Sequence, residues 1–254
     1  MDGSIIRIDP ENLEREHICC AIGNDAENSA RAGTKKRWMR DRFSEGLVFK
    51  RLDERGKVFI EYMPAETCWR PIVGEGYSVI HCLWVSGRFK GNGWARALLD
   101  ECVADARASG RAGIAVVSST KPKPFLTDKK FFIARGFRTV DSAPPFFELL
   151  ALQLDQSAPA PRFSDAARRN SRPGESGVSF SYSAQCPFME EYVGLLSRVA
   201  SGKGIPSRID RLESRADVLA RGSPFGTLGI YRDGAFLAHE LMTEAKFSAL
   251  LSPQ

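Results

Sequence analysis

The segment from Gly87 to Leu99, GRFKGNGWARALL, places two glycines and two basic residues directly before a helix-like run. The first turn of a helix carries backbone N–H groups without intrahelical partners, and the helix dipole favours negative charge there. Glycines let a phosphate approach the backbone without a Cβ in the way. Gly91-Asn92-Gly93 therefore predicts an anion-binding loop, with a plain turn as the alternative.

Two side chains on predicted strands could act as a general base. His81 lies in YSVIHCLWV, and its imidazole, with an ordinary pKa of about 6.5, suits proton transfer near neutrality. Glu61 lies in KVFIEYM between apolar residues, where desolvation would raise its pKa toward the working range. Alternation places His81 on the same face as Leu83 and Val85. A structural role for His81 and a surface position for Glu61 remain open.

Three polar and aromatic residues in the loop AETCWRP could line a substrate site. They are Glu66, Trp69 and Arg70. A tryptophan in a loop is equally compatible with simple packing.

The six cysteines and three histidines show no metal-ligand spacing, because no cysteine pair has the C-x-x-C pattern. We therefore expect no metal, and thiols rather than disulfides in a reducing compartment, by default the cytoplasm. Cys19 and Cys20 follow His17 on a predicted first helix. This group is compatible with a nucleophile or with small buried core residues.

Local patterns divide the chain into two units joined by a linker. Residues 1–154 read as one α/β unit, with strands at 4–10, 47–53, 57–63, 77–85, 113–119 and 146–154 and helices at 11–22, 26–43, 94–110 and 126–137. Residues 155–176 are rich in Pro, Ser, Ala and Arg and predict a linker. In residues 177–254 we expect strands at 178–184 and 207–213, helices at 188–200 and 217–221, a hairpin over 227–241 turning at Asp233-Gly234, and a final helix.

Composition is that of an ordinary globular protein, with 43% hydrophobic and 26% charged residues in 254. No apolar run approaches the roughly 20 residues of a membrane span, and the N-terminus lacks a secretory signal. The net charge of +5 is uneven. The basic residues crowd at Lys35, Lys36, Arg37, Arg40, Arg42, Lys50, Arg51, Arg55 and Lys57. This cluster could attract an acidic protein or a phosphorylated ligand, or form a solvated helix face. Nucleic acid ranks last, because no exposed aromatics alternate with the charges.

The glycine segment resembles a known family. Arg88-Phe89-Lys90-Gly91-Asn92-Gly93 is similar to the R/Q-x-x-G-x-G/A pyrophosphate loop of the GNAT superfamily of N-acyltransferases, and the likeness extends over residues 1–154. FFIARGF at 131–137 is similar to that superfamily's F-Y-x-x-x-G-F segment. EHICC and QCPFMEEY resemble the YoaP-like group, whose members carry a small C-terminal domain. The expected fold is therefore the α/β (α+β) GNAT fold, a mixed, mostly antiparallel sheet flanked by helices.

The resemblance implies transfer of an acyl group, by direct attack in a ternary complex, from a pantetheine thioester to an amine. The donor would be acetyl-CoA or another acyl-CoA, or an acyl-carrier protein that could use the basic cluster. The acceptor would be a small-molecule amine, with a peptide N-terminus or a lysine side chain as the alternatives, and Glu66, Trp69 and Arg70 are the candidates for its site. A homodimer is compatible with the family. The residues implied in donor binding are the backbone of Leu83 and Val85 and the loop Arg88, Phe89, Lys90, Gly91, Asn92, Gly93 and Trp94. Some members also place a catalytic histidine where His81 stands.

One departure concerns the group that protonates the leaving thiolate. Many members have a tyrosine where this chain has Phe132, which cannot donate a proton. Cys102, Ser118 or Ser119 could replace it, or the thiolate could leave unassisted. The departure keeps open a protein that binds CoA without turnover.

The second unit resembles a thioredoxin-like fold in the order of its elements. Cys186-Pro187 occupies the position of the redox motif, but the second cysteine is missing. A thiolate before a helix is favoured, so a thiol-redox function through Cys186 is one interpretation. A recognition or structural role is the other.

Overall fold

The computed structural model describes residues 3–18 and 20–252, so Cys19 lies outside the described residues. The chain forms two compact units. The first consists of residues 1–68, 72–141 and 148–162, and the second of residues 69–71, 142–147 and 163–254. Each unit is described by itself.

Along the chain to Gln153, strands dominate, with three α-helices between them. The elements are β1 Ile5–Ile8, α1 Ala26–Phe43, β2 Val48–Leu52, β3 Val58–Pro64, β4 Ile72–Val73, β5 Tyr77–Val85, α2 Trp94–Ala108, β6 Gly113–Ser119, α3 Lys129–Ile133, β7 Arg138–Ala143 and β8 Phe147–Gln153. A single 3₁₀ turn, Gly87–Phe89, lies between β5 and α2.

Seven strands form one mixed sheet in the order β1-β2-β3-β5-β6-β8-β7. The pairs β1–β2, β2–β3 and β3–β5 are antiparallel, whereas β5 and β6 are parallel. The predicted mixed sheet flanked by helices is confirmed. A parallel pair needs a crossover connection, and α2 supplies it between β5 and β6.

The core of the first unit lies between this sheet and the apolar stripe of α2. Leu98, Leu99 and Cys102 of α2 pack with Ile60 of β3 and Leu83 of β5, all of them buried. The spacing of the helix residues matches the stripe that the sequence predicts. This packing fixes the N-terminus of α2 directly after β5.

The predicted helix over residues 11–22 is wrong, because residues 11–15 form turns and none of the other described residues of this span is helical. Asp9 and Asn12 explain the difference. The Asp9 side chain accepts from the Asn12 amide at 3.0 Å, and the Asn12 side chain accepts from the Asp9 amide at 3.0 Å. Such local side-chain bonds offer the backbone an alternative to a helix. A further difference is β7, which the sequence patterns did not predict.

The rest of the chain begins with β9 Arg162–Phe163 and α4 Asp165–Arg169. The elements that follow are β10 Val178–Tyr182, α5 Met189–Gly202, β11 Ser207–Arg211, α6 Arg215–Arg221, β12 Leu228–Arg232, β13 Ala235–Ala238 and α7 Glu244–Leu251. Four strands form a sheet in the order β11-β10-β12-β13, in which β10 and β11 are parallel and β12 is antiparallel to both of its neighbours. The predicted hairpin is present, and its turn residues Asp233 and Gly234 have φ angles of 49° and 77°.

The segment predicted as a linker, residues 155–176, is partly built into the second unit. Phe163 and Ala167 are fully buried. The Asn170 side chain donates to the Pro144 carbonyl at 2.7 Å and accepts from the Tyr231 hydroxyl at 2.9 Å. The compact units therefore differ from the predicted division at 154 and 177. A few buried residues are sufficient to order a segment that lacks apolar periodicity.

Candidate active site

The glycine loop adopts a conformation that only glycine adopts without strain. Gly91 and Gly93 both have a φ of 80°, in the left-handed region. A Cβ built on Gly91 would meet no atom within 4 Å. The chain itself therefore does not crowd this position, and the space above the loop is open to a ligand.

The N-terminus of α2 has no side-chain cap. Among the seven α-helices of the described residues, α2 and α5 alone lack one, whereas Asp25 caps α1 and Ser214 caps α6. In residues 3–18 and 20–252, nothing accepts a recorded hydrogen bond from the backbone N–H groups of Gly91, Asn92 or Gly93. These donors can accordingly bind an anion together with the first turn of the helix.

The side chains of the loop divide into exposed cations and buried anchors. Arg88 is 73% exposed and pairs with Glu54 at 2.9 Å. Lys90 is exposed. Phe89 and Trp94 are buried in the hydrophobic core of the first unit. Of the predicted donor-binding residues, these two therefore hold the loop through their side chains, and only their backbone can face a ligand.

The parallel strands before the loop separate as they approach it. The β5–β6 register runs from Tyr77–Gly113 to Ile80–Val116 and ends there. In the described part of the chain, β5 from Cys82 to Val85 pairs with β3 but not with β6. Leu83 and Val85 thus lie where a β5 edge has unpaired backbone groups. Ligands bind in open sheets at such crevices beyond the carboxyl ends of parallel strands.

His81 is the extra residue of a β-bulge in β5. In the β3–β5 register, Glu61 is opposite Cys82 and Tyr62 is opposite Ile80, which leaves His81 between them. A bulge interrupts alternation and re-aims a side chain. The prediction that His81 shares a face with Leu83 is therefore wrong. Leu83 packs on the α2 side, whereas His81 lies toward α1, with its ring centroid 6.4 Å from that of Trp38.

The bulge brings His81 to Glu61, and α1 adds a lysine to the pair. His81 Nδ1 lies 3.1 Å from Glu61 Oε1, and Lys35 Nζ lies 2.5 Å from Glu61 Oε2. The three side chains are 0–1% exposed. Lys35 Nζ also lies 4.0 Å from the centroid of the Trp38 ring. A lysine, a carboxylate and an imidazole from three elements thus form one buried network.

The charges around Glu61 lower its pKa, whereas the sequence predicted that burial would raise it. Burial by itself would raise the pKa of this carboxyl group, but the Lys35 ammonium and the hydrogen bond from His81 outweigh burial and lower the pKa to about 2. Glu61 is therefore a carboxylate of low basicity near neutral pH. Because a carboxylate can only accept hydrogen bonds, His81 Nδ1 carries the hydrogen, and the basic lone pair of the neutral imidazole is on Nε2.

Lys35 is the member of this network that the sequence patterns missed, because it was grouped with the surface cations. A signal was present in its spacing. Lys35, Trp38 and Met39 are the buried residues of α1, and they follow the i, i+3, i+4 pattern of a core-facing stripe. A lysine in such a stripe calls for a buried partner.

Of the three residues predicted for the acceptor, Glu66 belongs to the first compact unit, and Trp69 and Arg70 belong to the second. Glu66 accepts from Arg111 at 2.6 Å and from the Gly76 amide at 2.7 Å. Trp69 and Arg70 are buried and belong to the second unit. Arg70 bonds the Thr227 hydroxyl there and lies 5.2 Å from the Phe225 ring. The polar side chains of Glu66 and Arg70 are thus already hydrogen-bonded within the chain.

None of the substitutes for a thiolate-protonating tyrosine is well disposed for that role. Phe132 is fully buried. Burial raises the pKa of the Cys102 thiol and makes it a poorer acid. Ser118 and Ser119 donate to the carbonyls of Thr127 at 2.8 Å and Lys121 at 2.7 Å.

The basic cluster over residues 35–57 is mostly engaged by the chain itself. Lys50 pairs with Glu101 and Asp105, each at 2.9 Å. Further recorded pairs and hydrogen bonds are Lys36 with the Glu14 carbonyl, Arg37 with Thr34, Arg40 with Glu14, Arg42 with Glu45, Arg51 with Glu16, and Arg55 with Asn24. These contacts within the chain weaken the prediction that the cluster docks an acidic protein.

In the predicted Cys-His group near the N-terminus, His17 and Cys20 lie in a segment whose described residues form no helix, and Cys19 lies outside the described residues. His17 Nε2 lies 3.2 Å from the Gly56 carbonyl oxygen. Burial and the nearby Arg51 lower the pKa of His17. Across residues 3–18 and 20–252, no three ligand-type side chains gather as a metal site, and no helix has the length and apolarity of a membrane span.

Comparison with known proteins bears on this site. Residues 11–123 match the Acetyltransferase (GNAT) family. The chain is also 41% identical over 247 residues to the uncharacterized N-acetyltransferase YoaP of Bacillus subtilis (strain 168), covering 97% of this chain and 98% of that protein. This chain belongs to the GNAT family. It is therefore an N-acetyltransferase, and the predicted GNAT fold is confirmed.

Two solved structures illustrate the likeness. PaiA N-acetyltransferase from Thermoplasma acidophilum, in complex with coenzyme A, is 12% identical with a TM-score of 0.42, covering 60% of this chain and 99% of that chain. A GNAT family acetyltransferase from Brucella melitensis, in complex with acetyl-CoA, is 17% identical with a TM-score of 0.39, covering 65% and 97%.

Proposed function

We propose that this enzyme transfers an acyl group, in the simplest case acetyl, from acyl-CoA to an amine by direct attack in a ternary complex. The observation that carries the donor assignment is the uncapped N-terminus of α2, at the point where β5 and β6 separate. The loop Gly91–Gly93 would bind the pyrophosphate through its amides. The unpaired edge of β5 at Leu83 and Val85 would pair with the pantetheine arm.

The amine nitrogen attacks the thioester carbonyl, the C–S bond breaks, and CoA leaves as its thiolate. His81 accepts the proton of the amine on Nε2, because Glu61 holds Nδ1–H. Because the imidazole is buried, the amine must enter the crevice beside β5 before His81 can accept its proton. The proton then returns to the thiolate through His81 or solvent, since no side chain corresponding to the missing tyrosine is assigned.

Free acyl-CoA is a better donor candidate than an acyl-carrier protein. Three of the cations that were expected to attract an acidic carrier, Arg40, Lys50 and Arg51, are held in ion pairs with Glu14, Glu16, Glu101 and Asp105. A small-molecule amine is the proposed acceptor. A cytoplasmic location stays a prediction from composition.

The first test is calorimetric titration of acetyl-CoA and CoA into the wild type and a Gly91→Asp, Gly93→Asp variant. We expect the wild type to bind and the variant to lose binding, because the substitutions add bulk and negative charge where the pyrophosphate lies. A folded wild type that binds neither ligand would refute the acyl-CoA donor.

The base is tested with the amine that a CoA-release screen identifies. His81→Ala should lower kcat by about 10²- to 10⁴-fold, the usual contribution of general base catalysis, with donor affinity unchanged. An unchanged kcat would remove His81 from the mechanism.

For the second unit we propose a thioredoxin-like domain with a recognition or structural role. The support is its order of elements, with the parallel pair β10–β11 joined by α5 and followed by a hairpin and a helix. The competing thiol function has one favourable feature, since Cys186 lies before the uncapped helix α5. Loss of activity in Cys186→Ser, with His81→Ala unaffected, would favour the thiol function.

A further inference from the structure

The network of Lys35, Glu61 and His81 contains more charge than proton transfer by His81 requires. A histidine oriented by a carboxylate is complete as a base. Here α1 adds an ammonium group, fully buried, on the other oxygen of the same carboxylate. Burying a lysine costs free energy even when the lysine is paired, so its presence needs a reason.

Charge balance supplies that reason. With Lys35 charged, Glu61 ionised and His81 neutral, the network has no net charge. A proton added to the imidazole would give the buried network a net positive charge, with two cations sharing one carboxylate. A like charge nearby disfavours the charged form of a group, and weak screening in the interior strengthens the effect. Without Lys35, a protonated His81 and Glu61 would instead form a neutral ion pair.

We propose that Lys35 is a positioning residue that holds Glu61 as a carboxylate and, as a second buried cation, keeps the His81 imidazole neutral with Nδ1–H directed at Glu61. The catalytic consequence rests on the proposed function, in which His81 is the base. The charge relation among the three groups does not depend on it.

The recorded groups around the imidazole come from two elements, β3 and α1. Glu61 faces it from β3, and α1 contributes Lys35 through that carboxylate together with the uncharged Trp38 ring. The β6 sequence, GIAVVSS, has no ionisable carboxylate, amine or imidazole. A change of charge at residue 35 should therefore appear directly in the titration of His81.

The decisive measurement is an NMR pH titration of the His81 ring in the full chain without donor or acceptor. The three histidines, His17, His81 and His239, allow assignment by single substitution. Lys35→Met removes the charge and keeps the aliphatic stem, and Lys35→Gln keeps a hydrogen-bond donor for Glu61. Lys35→Arg retains the charge. Lys36→Met is the matched control, since Lys36 donates to the Glu14 carbonyl at 2.6 Å.

We expect the midpoint of His81 protonation to rise by about one pH unit or more in Lys35→Met and Lys35→Gln, a tenfold change in proton affinity. Lys35→Arg and Lys36→Met should titrate like the wild type. If Lys35→Met does not fold, Lys35→Gln decides. Coincident His81 titrations in the wild type and a folded neutral variant would overturn the proposal and leave Lys35 a purely structural residue.

Enzyme kinetics give the second readout. In the neutral variants the acid limb of the kcat/KM profile should move to higher pH by the same amount, with rates recovering in alkali. A purely structural role would lower the rate equally at all pH values. If His81→Ala retains full activity, the proposed base fails, but the NMR result still decides whether Lys35 controls the imidazole.

Discussion

The glycine loop and the buried network differ in how the chain builds them. The loop from Gly91 to Gly93 is local, exposed and made of backbone, and its chemistry follows from φ angles and an uncapped helix. The network of Lys35, Glu61 and His81 is non-local, buried and made of side chains from three elements. A site made of backbone is encoded by adjacent residues, whereas a site made of side chains exists only after the sheet and α1 have packed.

The first prediction concerns the energetic side of this difference. Glu61→Leu should destabilise the protein by about 3–5 kcal/mol, because it leaves the Lys35 charge buried without its partner. The measurement is the free energy of unfolding from urea titrations. The double variant Lys35→Met, Glu61→Leu should recover most of the loss, since an apolar replacement of a buried ion pair is close to neutral. A double variant no more stable than the single one would show that the network does not act as a charge pair.

The second prediction concerns the stability of the fold at low pH. The pKa of Glu61 falls from its ordinary 4.5 to about 2 on folding. A depressed carboxyl pKa contributes stability that is fully present above the unfolded value, so this contribution should be lost as the pH falls from 4.5 toward 2. Between these limits the wild type should lose more stability than the Lys35→Met, Glu61→Leu variant, by a few kcal/mol. Parallel stability curves for the two proteins would contradict the lowered pKa.

The third prediction concerns the loop and has the smallest effect on stability. Gly91→Ala and Gly110→Ala should each cost about 1–2 kcal/mol, because both glycines have positive φ angles, 80° and 61°, and neither Cβ would meet an atom. Only Gly91→Ala should also weaken CoA binding. Calorimetry on the two variants separates backbone strain from contact with the donor. Equal donor affinity in both would remove Gly91 from the binding site.

The sequence predicted the loop well for a physical reason. Strand, glycines and helix occur in immediate succession, and β5 and β6 have the predicted bounds because their sequences are largely continuous apolar runs. The predicted bounds of α1 also match, at Ala26–Phe43. It predicted poorly where local side chains compete with the backbone, as Asp9 and Asn12 do in place of the expected helix. It also could not identify the segment after Phe163 as built into the second unit.

His81 and Glu61 show most directly what the sequence alone cannot predict. Their residue types and strands were apparent from the sequence, and so was the family through the Arg88–Gly93 segment. The contact between His81 and Glu61 was not apparent from the sequence, because one bulge turns His81 away from the face that alternation predicts. Only the packing of α1 brings Lys35 to Glu61. That contact lowers the pKa of Glu61, which burial alone would raise. Local backbone chemistry was thus determined by the sequence itself, whereas the protonation states at the site were decided by tertiary contacts between charges far apart in the chain.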